Sequence, residues 1–105
     1  MQQHYFVQAG TQTKFKLVVV FFSATWCVPC KTIAPRISEL ANEHSDCIFA
    51  EVDVEHNEAI KTKCGVTSMP TFQFFINSDR VDELVGAKYD ELVIKLTTEK
   101  AKATI

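Results

Sequence analysis

The run Leu17-Val18-Val19-Val20-Phe21-Phe22 is continuously apolar and rich in β-branched and aromatic side chains. Such a pattern over residues 16–24 predicts a strand buried on both faces, in the middle of a sheet covered by helices. The period then changes. Ile33, Ile37, Leu40, Ala41 and His44 fall at steps of four, three, one and three, one face of a helix expected over residues 30–43 and bent where Pro35 removes a hydrogen bond. Residues 46–54 alternate loosely through Ile48, Ala50, Val52 and Val54, which reads as a second inner strand. Asn57 is the N-cap expected for a short helix that turns Ala59 and Ile60 inward and is closed by Cys64-Gly65. Residues 72–76 read as a strand, Asn77-Ser78-Asp79 as turn chemistry, and residues 80–85 as the returning antiparallel strand. Gly86 breaks that pattern. From residue 88 to about 101, Tyr89, Leu92, Val93 and Leu96 share one face, with Asp90, Glu91, Lys95 and Glu99 on the other, an amphipathic closing helix.

Residues 1–15 carry the weakest pattern: 4–8 read as a short edge strand and 11–15 as a scrap of helix, interrupted by Gly10. Strands alternating with helices imply an α/β fold with parallel pairing through right-handed crossovers, and the final hairpin adds an antiparallel edge. The expected architecture is a central mixed sheet of four to five strands flanked by helices. At 105 residues the chain is one domain's worth, with material for one core.

Composition narrows the function classes. With 47% apolar and 23% charged residues and a formal net charge of −2, the chain has no electrostatic footprint for nucleic acid or an anionic membrane. Met1-Gln2-Gln3-His4-Tyr5-Phe6 shows no basic region followed by an apolar one, and no segment approaches membrane-spanning length. A cytoplasmic setting, also nuclear, is therefore expected, and so is a monomer. His4, His44 and His56 are scattered on stretches expected to be exposed and are assigned no role.

The chemistry lies in Trp26-Cys27-Val28-Pro29-Cys30. Two cysteines three positions apart, carried from a strand end onto a helix start, form a redox device. The unpaired N–H groups and positive dipole end at a helix N-terminus favour a thiolate, which assigns Cys27 as the thiol that attacks a partner's disulfide. Cys30, one turn further in and expected to be less exposed, attacks the mixed disulfide and releases the reduced product. Pro29 suits the first turn, where its missing N–H costs nothing. A zinc site through Cys27, Cys30, Cys47 and Cys64 would need widely separated single ligands in place of a second close pair. Cys47 reads as a small core residue on a strand, and burial is the favoured reading for Cys64 over regulation.

Phe22-Ser23-Ala24-Thr25-Trp26-Cys27-Val28-Pro29-Cys30-Lys31, Ile33-Ala34-Pro35, Glu51-Val52-Asp53-Val54 and Met69-Pro70-Thr71-Phe72-Gln73-Phe74-Phe75 together resemble the thioredoxin family. The resemblance spans residues 16 to 96. It implies a protein-disulfide reductase acting through Cys27 and Cys30, with Trp26 a lid beside them and Pro70 a cis-proline. A cis bond there would let Met69 pair with an extended substrate strand. Gly86-Ala87 matches a family loop on the same rim, so the substrate-binding residues implied are Trp26, Val28, Pro29, Met69, Pro70, Gly86 and Ala87. No cofactor or metal is bound in such a protein: electrons reside in the redox-active cysteine pair, and NADPH acts only through a thioredoxin reductase, the partner expected alongside disulfide-containing substrate proteins.

Three features depart from the family pattern. Val28 replaces the usual glycine, stiffening the loop and enlarging the apolar rim. Phe21 stands where the family buries an aspartate that serves Cys30 as a base, so release of product is expected to depend on water or hydroxide. The N-terminal segment is shorter than the family's first strand and helix require, and a degenerate or missing first strand is expected. These departures sustain a rival reading, a thioredoxin-like binding or regulatory module with poor turnover or one domain of a larger protein. The intact Trp26 to Lys31 motif and Pro70 favour the enzyme.

Overall fold

A computed structural model describes residues 3–5 and 17–103. The elements are β1 (Gln3–Tyr5), β2 (Leu17–Ser23), α1 (Val28–Glu43), β3 (Ile48–Asp53), a 3₁₀ turn (Val54–His56), α2 (Glu58–Lys63), β4 (Thr71–Ile76), β5 (Asp79–Val85) and α3 (Tyr89–Ala103). They build one mixed sheet in the order β1-β3-β2-β4-β5, so the two apolar strands β2 and β3 lie inside it. The first strand is present, cut to three residues antiparallel to β3. It lies at the edge, as the reading of residues 4–8 expected, and the helix expected at 11–15 lies outside the described residues.

β2 and β3 are parallel, with Phe21 opposite Glu51 and Ser23 opposite Asp53. β4, in contrast, runs antiparallel to β2, placing Phe72 opposite Phe21. The alternation of strands and helices had implied parallel pairing here. The connection carries only the six-residue α2, which rises about 9 Å, about half of what a six-residue strand covers, and the chain re-enters the sheet at the end it left. Asn77 and Ser78 form the two-residue β4–β5 connection with φ of 52° and 72°, the twist that suits a hairpin.

Register decides which side chains share a face, because directly paired residues project to the same side. Phe21, Phe72 and Phe74 point to the side covered by α1 and α3; the rings of Phe21 and Phe72 stack with centroids 5.0 Å apart. Ile33, Ile37, Leu40 and Ala41 from α1, and Leu92 and Leu96 from α3, complete this core. The two helices are tied at two places. Arg36 lies over the Tyr89 ring, 3.6 Å from its centroid, and Lys100 reaches Asp46 Oδ1 at 2.8 Å and His44 Nδ1 at 3.0 Å. On the opposite face buried Gln73 donates to the Cys64 carbonyl and to Glu83.

Other expectations are corrected in detail. Ala59 is exposed rather than inward, since a single methyl gains little from burial and Ile60 alone anchors α2 to the core. Asn57 occupies the N-cap without capping; its side chain donates to the Asp53 carbonyl instead. Glu99 is buried, not on the polar face. Leu92, Leu96, Glu99 and Ala103 are spaced four, three and four apart, so the helical period places Glu99 on the core stripe, and its carboxylate is met by Lys102 at 3.4 Å. No helix among the described residues is long and apolar enough to cross a membrane.

Cys47 is a core residue that precedes β3 by one position instead of lying on it, and Cys64 is half-buried. Burial, reinforced by the neighbouring Asp46 carboxylate, pushes the Cys47 thiol up to about 11. The folded, reduced protein should thus leave Cys47 unmodified by iodoacetamide at pH 8 while the paired cysteines react; peptide mass mapping checks it, and labelling of Cys47 should begin only as the pH nears that value.

Candidate active site

β2 ends at Ser23, and four residues carry the chain to α1. That link is held at both ends: Cys27 N–H donates to the Ala24 carbonyl at 3.1 Å, and the backbone N–H and hydroxyl of Thr25 both donate to the Glu55 carboxylate. α1 starts at Val28, two positions earlier than the spacing of its apolar face indicated, because Val28 and Pro29 fill the first turn without needing intrahelical donors. Cys27 is the N-cap in extended conformation. The cap is its sulfur, which accepts the Cys30 N–H at 3.2 Å. One of the helix's orphan donors is thus aimed at the atom that has to carry negative charge. No acidic residue occupies the first turn to oppose it.

Cys27 and Cys30 form a disulfide. Their relative exposures are 3% and 2%, so the expected difference in exposure is absent: the bond folds the Cys27 sulfur back onto the helix end. What distinguishes the two is position, cap against helix interior. Around them Trp26 and Val28 are 65% and 69% exposed, and Pro29 is exposed as well, an apolar rim of the kind that marks an interaction site.

Met69-Pro70 is cis, as the resemblance implied. Pro70 is buried and Met69 half-buried against the core. The Pro70 carbonyl accepts Gly86 N–H at 2.8 Å, which fastens the end of β5 to the proline loop. Gly86 has φ of +106°, a conformation that L side chains rarely adopt. The next residue, Ala87, lines a groove of about 280 Å³ with Val28, Pro29, Thr32, Arg36 and Tyr89. The structure therefore joins Val28, Pro29 and Ala87 directly and Gly86 and Pro70 through one hydrogen bond, whereas Trp26 and Met69 do not line the groove. Thr32, Arg36 and Tyr89 had not been singled out for the site. The signal was available in part: Pro29, Thr32 and Arg36 are spaced to share one helix face.

Phe21 shares the buried core with the cysteine pair and offers no proton acceptor; its ring is stacked on Phe72. A second cleft, of about 260 Å³, lies to the side, lined by Cys30, Lys31, Ser23, Glu51 and Asp53 among others. Ser23 Oγ donates to Glu51 Oε2 there at 2.7 Å. Glu51 and Ser23 belonged only to the motif segments, since nothing before folding reveals which β3 residue stands opposite Phe21. Among the described residues no group of three or more His, Cys, Asp or Glu side chains is arranged to hold a metal ion.

The thioredoxin family model matches residues 2–98. Horse (Equus caballus) thioredoxin is 46% identical over 87 residues, 83% of each chain. Among solved structures, thioredoxin of Fasciola hepatica superposes with a TM-score of 0.78 at 43% identity, over 80% of this chain and 81% of that one. Thioredoxin f2, in a structure described as its complex with ferredoxin:thioredoxin reductase, gives 0.79 at 31% identity over 82% and 79%. With a paired Cys27 and Cys30 at a helix N-terminus, this chain belongs to the thioredoxin family and is a dithiol–disulfide oxidoreductase.

Proposed function

We propose that the protein reduces disulfides in other proteins and is itself returned to the dithiol by a thioredoxin reductase. The observation that carries the direction of attack is the Cys30 N–H aimed at Cys27 Sγ: reduced Cys27 holds the thiolate and attacks one sulfur of the substrate disulfide, whose other sulfur departs as a thiol. Cys30 then attacks Cys27, forming the intramolecular disulfide and releasing the second substrate thiol. Two electrons pass to the substrate, and no bound cofactor or metal enters the exchange. NADPH acts only through the reductase.

The substrate segment lies on the rim made by Trp26, Val28, Pro29, Met69, Pro70, Gly86 and Ala87. Support for this comes from the exposure of Trp26 and Val28 and the groove that Val28, Pro29 and Ala87 share. The thioredoxin f2 complex supports a reductase as partner. A reducing compartment, cytoplasm or nucleus, fits a dithiol that has to be regenerated at each turnover, and the chain works as a single domain and a monomer.

Reduction of insulin by dithiothreitol, followed as turbidity, should be accelerated by the native protein and not by Cys27→Ser. With Cys30→Ser the substrate should stay covalently attached to Cys27, visible as a mass adduct that dithiothreitol removes. An adduct trapped by Cys27→Ser and not by Cys30→Ser would reverse the two roles.

A further inference from the structure

We propose that Glu51 is the proton acceptor for Cys30 in the step that releases product, acting through water in the cleft the two residues share. The proposal rests on the reductase reading above and adds to it the base that Phe21 cannot supply. Phe21 is paired with Glu51 on β3, so the two side chains project to the same face from adjacent strands, about 4.8 Å apart. The carboxylate missing from β2 is therefore present one strand over. Of the two carboxylates lining the cleft, Asp53 is committed elsewhere: Oδ1 accepts the Glu55 N–H and Oδ2 meets His56 Nδ1, both at 2.9 Å. The Glu51 carboxylate has, among the described residues, Ser23 Oγ as its one hydrogen-bond donor, so it is otherwise uncommitted. That contact holds Oε2 in place and leaves the group an acceptor. A cleft of about 260 Å³ has room for several waters, at about 30 Å³ each.

The Cys30 thiol gives its proton to a cleft water, which passes one on to the Glu51 carboxylate. The Cys30 thiolate attacks Cys27 Sγ; the Cys27–Cys30 bond forms as the bond from Cys27 to the substrate sulfur breaks. The substrate leaves as a thiolate and is protonated by solvent, and Glu51 returns its proton to solvent. Besides Glu51, the charged side chains that line this cleft are Lys31 and Asp53. Lys31 and Cys30 come from α1 and Asp53 from β3 itself, while β1 places His4 at the register position opposite Glu51.

Ellman's reagent separates the two attacks. Reduced Cys27 releases one thionitrobenzoate and keeps the other as a mixed disulfide, which Cys30 then discharges in a second phase. In a stopped-flow series across pH, Glu51→Gln, which keeps the acceptor oxygen for Ser23, should leave the first phase unchanged. The second phase should slow by about 10²-fold near pH 7, and the deficit should shrink as hydroxide takes over at alkaline pH. Glu51→Asp should recover part of the rate, and Phe21→Asp should restore it in the Glu51→Gln background. Asp53→Asn and His4→Gln should leave the second phase and its pH profile as in the native protein. A folded Glu51→Gln protein with the native second phase at every pH would overturn the proposal, as would transfer of the effect to His4→Gln or Asp53→Asn. Absence of a second phase in the native protein would instead overturn the two-cysteine reading itself.

Discussion

Everything else in this molecule is arranged to hold one contact: the Cys30 amide pointing at the Cys27 sulfur, at the place where β2 hands the chain to α1. A helix N-terminus is polar by construction, with amides that no intrahelical carbonyl can satisfy. Ending the chain's most apolar strand just before it fixes that polarity at the surface, because β2 is held by β3 on one side and β4 on the other. The Thr25 to Glu55 bonds and the Cys27 N–H to the Ala24 carbonyl take up the slack between the two elements. The cysteine pair is thus reactive by position, and the core beneath it has only to be rigid.

Rigidity comes from aromatic packing, and here it displaces a polar function. Phe21 extends the stack with Phe72 in the centre of the sheet. A charged group in its place would have to be desolvated among phenylalanines, at a cost of several kcal/mol. Glu51 avoids that cost by lining a cleft between β3 and α1. A sheet can in this way offer the same face to a site from either of two neighbouring strands, one packed dry and the other beside water.

Much of the fold is written in local pattern. β2, α1, the β4–β5 hairpin and the apolar face of α3 follow from residue spacing, and the site motif is contiguous, so Cys27, Val28, Pro29 and Cys30 needed no tertiary knowledge. What failed to show depends on register or on competition between periods. Glu99 looks polar in isolation and lies on the core stripe only because Leu92, Leu96 and Ala103 set the helical phase. The antiparallel entry of β4 depends on the end of the sheet to which the connection returns, which no spacing within the connection displays. Arg36 meets Tyr89 across two helices, and Glu51 meets the cysteine side of the sheet through pairing with β2; neither contact has a signature within its own segment. Residues 3–5 earn their place as a strand from β3, not from their own composition.

The helix N-terminus, through the cap contact, lets Cys27 ionise at a lower pH than a free thiol. Ultraviolet thiolate absorbance of the reduced protein, titrated in Cys30→Ser so that one site thiol remains and referenced to Cys27→Ser/Cys30→Ser, measures it directly. A Cys27 ionisation midpoint clearly below the ordinary thiol value of about 8.5 is expected. A midpoint at or above that value would contradict it.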